Sequence, residues 1–361
     1  MGWMDAMLRI SCEELSGTLT RVLLKVGFEQ IRAETCARII TETTCDGIYS
    51  HGIDWFPRFV KMACNGSIDV SASPVFTEKH GVLERWNGRR GPGNLNAYES
   101  MGRAIALSHE NGVGCVALAN TNHWMRGGTY GWQAADAGVI GVCWTNTMAN
   151  LPPWGSTEPR LGNNPLVIAI PRANGHVVVD MAMSQFSYGA LASYRIRGEL
   201  LPVEGGFDTE GQLTRDPAAI EESQRPLPIG FWKGSGLSLT LDMMAAMLSA
   251  GNATHQIPTD KLRETGLSQV FLAFDVTAFG SADTTAESME QTIEFVQAAT
   301  RTSGGENIRY PGERTLQTRA ENRLLGIPVK PALWDEIQKM QRSVRCHDFD
   351  SNGIRARISH L

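Results

Sequence analysis

Apolar side chains recur at helical spacing from the first regular stretch of the chain. Leu15, Leu19, Val22, Leu23 and Val26 fall on one helix face, Ser11 and Glu14 form a capping box ahead of them, and Gly27 suits the C-terminal cap. A second helix fits residues 33–44, with Cys36, Ile39, Ile40 and Thr43 along one side. A third follows Pro57, whose missing N–H costs nothing in a first turn. The period then changes. Short strand-like runs occur at residues 115–119, 139–145, 166–170, 177–181 and 270–274, with helical stretches at 96–109, 130–137, 188–196 and 237–250 between them. Residues 200–228 are rich in Gly, Pro and acidic side chains and read as an excursion over the surface. Helix returns from Ala286 through Val296 and again over residues 316–340. Such a mixture predicts a mixed α/β core.

Composition narrows the function classes. The 361 residues carry 33 Lys+Arg against 38 Asp+Glu, a net charge of −5, which leaves no electrostatic footprint for nucleic acid. No apolar run approaches the roughly 18–20 residues that span a bilayer, so no membrane partner is expected. The first twelve residues, with Asp5 and Arg9, do not read as a signal peptide. Seven cysteines (Cys12, Cys36, Cys45, Cys64, Cys115, Cys143, Cys346) are odd in number and never in C-x-x-C spacing. They are expected to be free buried thiols in a reducing cytoplasm, and no metal site is expected.

Standard motifs are missing. The nearest match to a dinucleotide fingerprint starts at Gly112 and precedes a strand instead of following one, so it reads as a helix-to-strand turn. No P-loop, nucleophile elbow or H-E-x-x-H is present. Asp348-Phe-Asp-Ser-Asn-Gly353 imitates the start of an EF-hand loop, but Ser359 stands where a bidentate Glu is needed, so it reads as a polar turn. Two histidines stand out. His51 lies in a Gly-flanked turn between two helices, and His123 follows an apolar strand beside Asn122 and Arg126, both good positions for a ligand pocket.

The segments around those histidines carry a resemblance. Tyr-Ser-His-Gly with Phe-Pro-Arg-Phe, then Asn-His-Trp-Met-Arg-Gly-Gly, Cys-Trp-Thr-Asn, Pro-Pro-Trp-Gly, Asn-Pro-Leu-Val-Ile-Ala-Ile-Pro, Val-Asp-Met and Gly-Phe-Trp-Lys-Gly-Ser-Gly are similar to the malate/L-lactate dehydrogenase family, over roughly residues 10–340. The resemblance implies a non-Rossmann NAD(P)H-binding domain on a largely antiparallel sheet, a helical domain built from both termini, and a homodimer. It implies a division into an N-terminal helical segment (1–75), a central α/β domain with the cofactor and substrate sites (76–285), C-terminal helices packing back on the first segment (286–345) and a tail (346–361).

The resemblance also puts roles on positions. His51 matches the proton donor of one member and His123 the acid/base residue of another. His176, Val177, Val178, Val179, Asp180, Met181 and Ala182, the pair Trp232 and Lys233, and the turn Gly312, Glu313 and Arg314 match cofactor-contacting segments. Trp55, Arg58, Asn122 and Arg126 are the candidate substrate contacts.

The chemistry fits these roles. Reducing a 2-oxo acid moves a hydride to the carbonyl carbon, and the developing alkoxide takes a proton, a task suited to imidazole. Asp180 could accept hydrogen bonds from a ribose, and Lys233 and Arg314 could offset pyrophosphate charge. Trp55 is a departure, because the family carries Arg four residues after the motif histidine, where a guanidinium fork can hold the substrate carboxylate. The implied activity is a cytoplasmic NAD(P)H-dependent reduction of a 2-oxo acid, with a sugar acid matching the segments best. Lactate, malate, sulfolactate or ureidoglycolate dehydrogenation is the sibling alternative. A catalytically silent cofactor-binding protein is the alternative from another class.

Overall fold

The Ser11 hydroxyl accepts the backbone N–H of Glu14, and Gly27 closes the same helix with φ of 103°, as the capping residues predict. In this computed structural model, which describes residues 7–279, 282–303, 305, 307–344 and 346, β1 (Leu8–Ile10) precedes that helix, α1 (Cys12–Val26). Two further helices follow, α2 (Gln30–Cys45) and α3 (Phe56–Cys64), joined by short 3-10 turns at Tyr49–His51 and Ile53–Trp55. The central part runs β2 (Val75–His80), β3 (Leu83–Asn87), α4 (Gly93–Asn111), β4 (Val113–Asn122), α5 (Gly128–Asp136), β5 (Ile140–Thr145), β6 (Leu166–Ile170) and β7 (Val177–Met181). Beyond it come α6 (Tyr188–Arg197), β8 (Gly206–Phe207), β9 (Leu213–Thr214), α7 (Pro217–Ser223), α8 (Trp232–Ser249) and β10 (Thr265–Phe274). The chain ends with α9 (Ala282–Gln297), α10 (Glu313–Leu325), β11 (Ile327–Val329) and α11 (Pro331–Ser343).

Seven strands form the central sheet in the order β2-β3-β4-β10-β5-β6-β7. Only β3 and β4 run parallel; every other neighbouring pair is antiparallel. This is the largely antiparallel, non-Rossmann sheet that was expected. Gly112 caps α4 in the left-handed region and β4 starts at the next residue, so the glycine near-match is indeed a helix-to-strand turn. One core packs the sheet against α4 and α5, through Val116, Phe271, Trp124 and Tyr130. The opposite sheet face packs against α8 through Trp144, Val270, Leu241 and Ala245.

The helical region draws on both ends of the chain. β1 pairs with β11, Leu8 opposite Val329 and Ile10 opposite Ile327. Leu19 and Leu23 of α1, Ile40 of α2, Phe59 of α3 and Ile337 of α11 share one core. Burying a side chain of this kind contributes roughly 1.5–3 kcal/mol, so the two ends hold each other in place.

Three expectations need correction. The helix expected over residues 316–340 is two helices with a strand between them, because Gly326 takes φ of 83° and Pro328 and Pro331 cannot continue a helix. The excursion at 200–228 contains β8, β9 and α7. The cysteines are not all free: Cys64 and Cys346 form a disulfide, their Cα atoms 4.6 Å apart. The end of α11 brings together two residues 282 positions apart, a proximity invisible in spacing. Cys12, Cys36, Cys45, Cys115 and Cys143 are free. The EF-hand-like segment at 348–353 lies outside the described residues. No described helix is long and apolar enough to cross a membrane.

Candidate active site

The turn after α2 is built on Gly52. A Cβ there would lie 2.4 Å from Thr44 Oγ1, and that oxygen accepts the Ile53 N–H at 3.0 Å. The tight crossing lets His51 and Trp55 project to the same side, with their rings parallel (1°) and 6.4 Å apart. Opposite them, β4 ends in a bulged register against β10, and the chain turns through Met125 with φ of 67°. His123 stands in that turn. Its ring lies 6.1 Å from His51 and stacks on Trp55 at 4.3 Å. Two histidines 72 positions apart thus meet across one aromatic cluster.

The hydrogen bonds decide which nitrogen carries the proton. His123 Nδ1 accepts the Met125 N–H at 3.0 Å, so the neutral ring holds its proton on Nε2 and is a donor there. Desolvation holds its pKa well below the usual imidazole range, and the charges of His51 and Arg58 act in the same direction. His51 Nδ1 pairs with Ser50 Oγ at 2.9 Å, which leaves Nε2 for other partners. Its pKa is also lowered, first by burial and then by Arg126, with Asp180 opposing.

The remaining candidate substrate contacts are already engaged. Arg58 stacks its guanidinium 4.0 Å over Trp55, donates to the Lys261 carbonyl and pairs with Glu264 at 3.2 Å. Glu264 is buried, which raises its pKa even with Arg58 beside it. Asn122 donates its amide to the carbonyls of Arg90 and Gly91, at 2.7 and 2.9 Å, and so braces the loop behind the site. Arg126 is 5% exposed, donates to Asp46 and lies 3.7 Å from Asp180. Arg319 also clasps Asp46. Asp46, Glu264 and Arg319 were not legible as site residues; the one available signal was that Asp46 directly precedes the histidine turn.

The cofactor-contacting candidates gather along β7, the edge strand. The Val178 N–H donates to the Pro311 carbonyl at 2.9 Å, which lays Gly312, Glu313 and Arg314 against residues 176–178. Gly312 has φ of 99°, and a Cβ there would come within 2.9 Å of the His176 carbonyl. Val178 is buried in the core and its N–H is taken by Pro311, while Val177, Val179, Met181 and Ala182 are partly exposed. Asp180 accepts the Gly128 N–H at 2.9 Å, and His176 pairs with Asp136 at 3.0 Å. At the other end of β7, Ile229 donates to the Met183 carbonyl at 2.8 Å, which places the turn before Trp232 and Lys233 beside the strand exit. Trp232 itself is 66% exposed and Lys233 is exposed. A peptide edge, a glycine turn where a side chain would intrude, and flanking polar groups suit an extended dinucleotide.

Known proteins resemble this chain over most of its length. The sequence profile described as malate/L-lactate dehydrogenase matches residues 10–338. A 2,3-diketo-L-gulonate reductase from Escherichia coli is 44% identical over 333 residues, 92% of this chain and 100% of that protein. The malate dehydrogenase structure from Pyrococcus horikoshii superposes with a TM-score of 0.85 at 25% identity, covering 94% of this chain and 96% of that one. The sulfolactate dehydrogenase structure from Methanocaldococcus jannaschii gives a TM-score of 0.85 at 23% identity over 95% and 97% of the two chains, a likeness of fold. The chain belongs to the malate/L-lactate dehydrogenase family and is an oxidoreductase.

Proposed function

We propose that the chain reduces a 2-oxo sugar acid, 2,3-diketo-L-gulonate, to 3-dehydro-L-gulonate with NADH or NADPH as the reductant. The observation that carries this reading is the pair of desolvated imidazoles 6.1 Å apart beside the edge strand β7. The named activity of the Escherichia coli relative supports the choice of substrate. The cradle formed by Gly312 against residues 176–178 would hold the cofactor, with Asp180 on its ribose and Lys233 and Arg314 near its phosphates. When bound, a reduced nicotinamide supplies a hydride to the substrate's carbonyl carbon.

The protein's own part is to bind, polarise and protonate. His123 presents Nε2–H to the carbonyl oxygen and so stabilises charge developing there. His51 gives its proton to the alkoxide and becomes neutral, the form that burial favours. Trp55 forms the wall beside them, stacked on His123, with Arg58 as its outer layer. In the oxidative direction His51 takes the hydroxyl proton back.

The reading includes a division at residues 75, 285 and 345 and a homodimer in the cytoplasm, where reduced nicotinamide cofactors are available. Support for the dimer comes from α8, which exposes Leu239, Met243 and Met247 on one stripe, continuous with Phe231 and Trp232. One observation favours the sibling reading, a dehydrogenase for lactate, malate, sulfolactate or ureidoglycolate: residue 55 offers an indole in place of a carboxylate clamp.

The test is a panel of 2-oxo acids with NADH and NADPH, followed by loss of nicotinamide absorbance. Oxidation with 2,3-diketo-L-gulonate is the expected result. Turnover only with another acid transfers the assignment to the sibling reading, and tight cofactor binding without turnover makes the protein a silent binder.

A further inference from the structure

Two thiols 33 positions apart in the chain meet where the first two helices begin and end. Cys12 opens α1 and Cys45 closes α2. The short turn after Gly27 folds the two helices into a hairpin, so those ends lie side by side, with the Sγ atoms 3.5 Å apart. A disulfide needs roughly 2.05 Å between the sulfurs, so a small approach of the two side chains would join them.

The two thiols differ in access. Cys12 is partly exposed, while Cys45 is only 3% exposed. Burial pushes the Cys45 thiol up to about 12, and Cys12 adds to the shift through its hydrogen bond and its charge. A dissolved oxidant therefore meets Cys12 first, and Cys45 reacts only with what has formed there. The other free thiols compete poorly. Cys36, Cys115 and Cys143 are buried, and desolvation raises all three, Cys36 and Cys115 to about 12. Cys64 is already bonded to Cys346.

Cys45 also stands at the anchor of the histidine turn. Its Sγ lies 3.8 Å from the Arg319 carbonyl, and its own carbonyl accepts the Asn322 amide at 2.9 Å. The next residue, Asp46, holds both Arg126 and Arg319. Drawing Cys45 towards Cys12 pulls on the end of α2, from which the chain runs on to His51.

We propose that Cys12 and Cys45 are a redox-sensitive dithiol that a peroxide closes to a disulfide, slowing the reaction at the histidine site. The Cys12 thiolate attacks one peroxide oxygen; an S–O bond forms, the O–O bond breaks, and the departing oxygen leaves as water with the proton Cys12 gave up. The Cys45 sulfur then attacks Cys12 Sγ. An S–S bond forms, the S–O bond breaks, and the Cys45 proton leaves with the hydroxide as a second water. Two thiols are oxidised to one disulfide, and one hydrogen peroxide is reduced to two waters.

The experiment treats the full chain and Cys45→Ser with hydrogen peroxide and maps their peptides without reduction. The wild type should yield Cys12 linked to Cys45, and its melting temperature should rise, because the bond restricts the unfolded chain. Its turnover should fall about tenfold as the histidine turn shifts. Cys45→Ser should form no link, keep its turnover under the same peroxide, and hold Cys12 as a sulfenic acid that dimedone captures. Absence of the Cys12–Cys45 link in the wild type would overturn the proposal. Equal loss of turnover in both proteins, or a link that leaves turnover unchanged, would overturn its effect on the reaction. Only the turnover readout rests on the reductase reading; the link and the melting temperature are read without it, so the two can fail separately.

Discussion

Two polar regions lie on either side of Asp180, and they are built on opposite plans. Around His51, Trp55 and His123 the groups are aromatic, and desolvation lowers the pKa of both imidazoles, with Asp180 acting on His51 as an opposing charge. Around Asp46, Arg126 and Arg319 the groups are fully ionic, two guanidinium groups on one buried carboxylate. A permanent ion pair fixes geometry but moves no proton at ordinary pH. An imidazole can do so, provided no carboxylate binds its proton tightly. The chain therefore separates the groups that hold the histidine turn in place from the imidazole to which the proposed function gives the proton transfer, with only residues 47–50 between Asp46 and His51.

The comparison can be broken at either region. His51→Ala should depress turnover by roughly 10²–10⁴-fold with cofactor affinity nearly intact, measured by steady-state kinetics and a binding titration. Unchanged turnover would take His51 out of the reaction. On the ionic side, Asp46→Ala leaves Arg126 buried with only the more distant Asp180. It should cost about 3 kcal/mol in denaturant unfolding, the low end for breaking a buried pair. A loss under about 1 kcal/mol would make the network a surface-like pair. The smallest of these effects is expected at the wall. Trp55→Arg should lower KM for small 2-oxo acids by about tenfold by adding a charged donor. A rise or no change would mean that the pocket is organised around the indole.

Much of this fold was legible because local rules agreed with the tertiary result. The helices with clear stripes and caps, and the strands made of apolar runs, fall where those patterns lie. β2 escaped because it is an exposed edge strand whose residues all face water, so it has no apolar alternation to detect. The break near Gly326 was hidden because Leu324 and Leu325 continue the apolar spacing while pointing outward, at 83% and 54% exposure. His51 and His123 were visible as candidates, but their meeting was not, since it depends on how the turn after α2 folds over the end of β4. The pairing of Arg126 with Asp46 was not legible, because Asp46 stands 80 residues earlier. The bracing role of Asn122 was hidden for the same reason: its Nδ2 donates to the loop at Arg90 and Gly91, more than 30 residues earlier.

Protonation of His51 is the most direct point of attack. Burial lowers its pKa, so its protonated form is depleted as pH rises through a value below about 6.5. The deciding measurement is the pH profile of kcat for reduction in the wild type and in His51→Asn. The wild-type rate should fall as pH rises through that region, and the variant should be slow and lack that limb. A variant that keeps the same limb would show that another group hands over the proton.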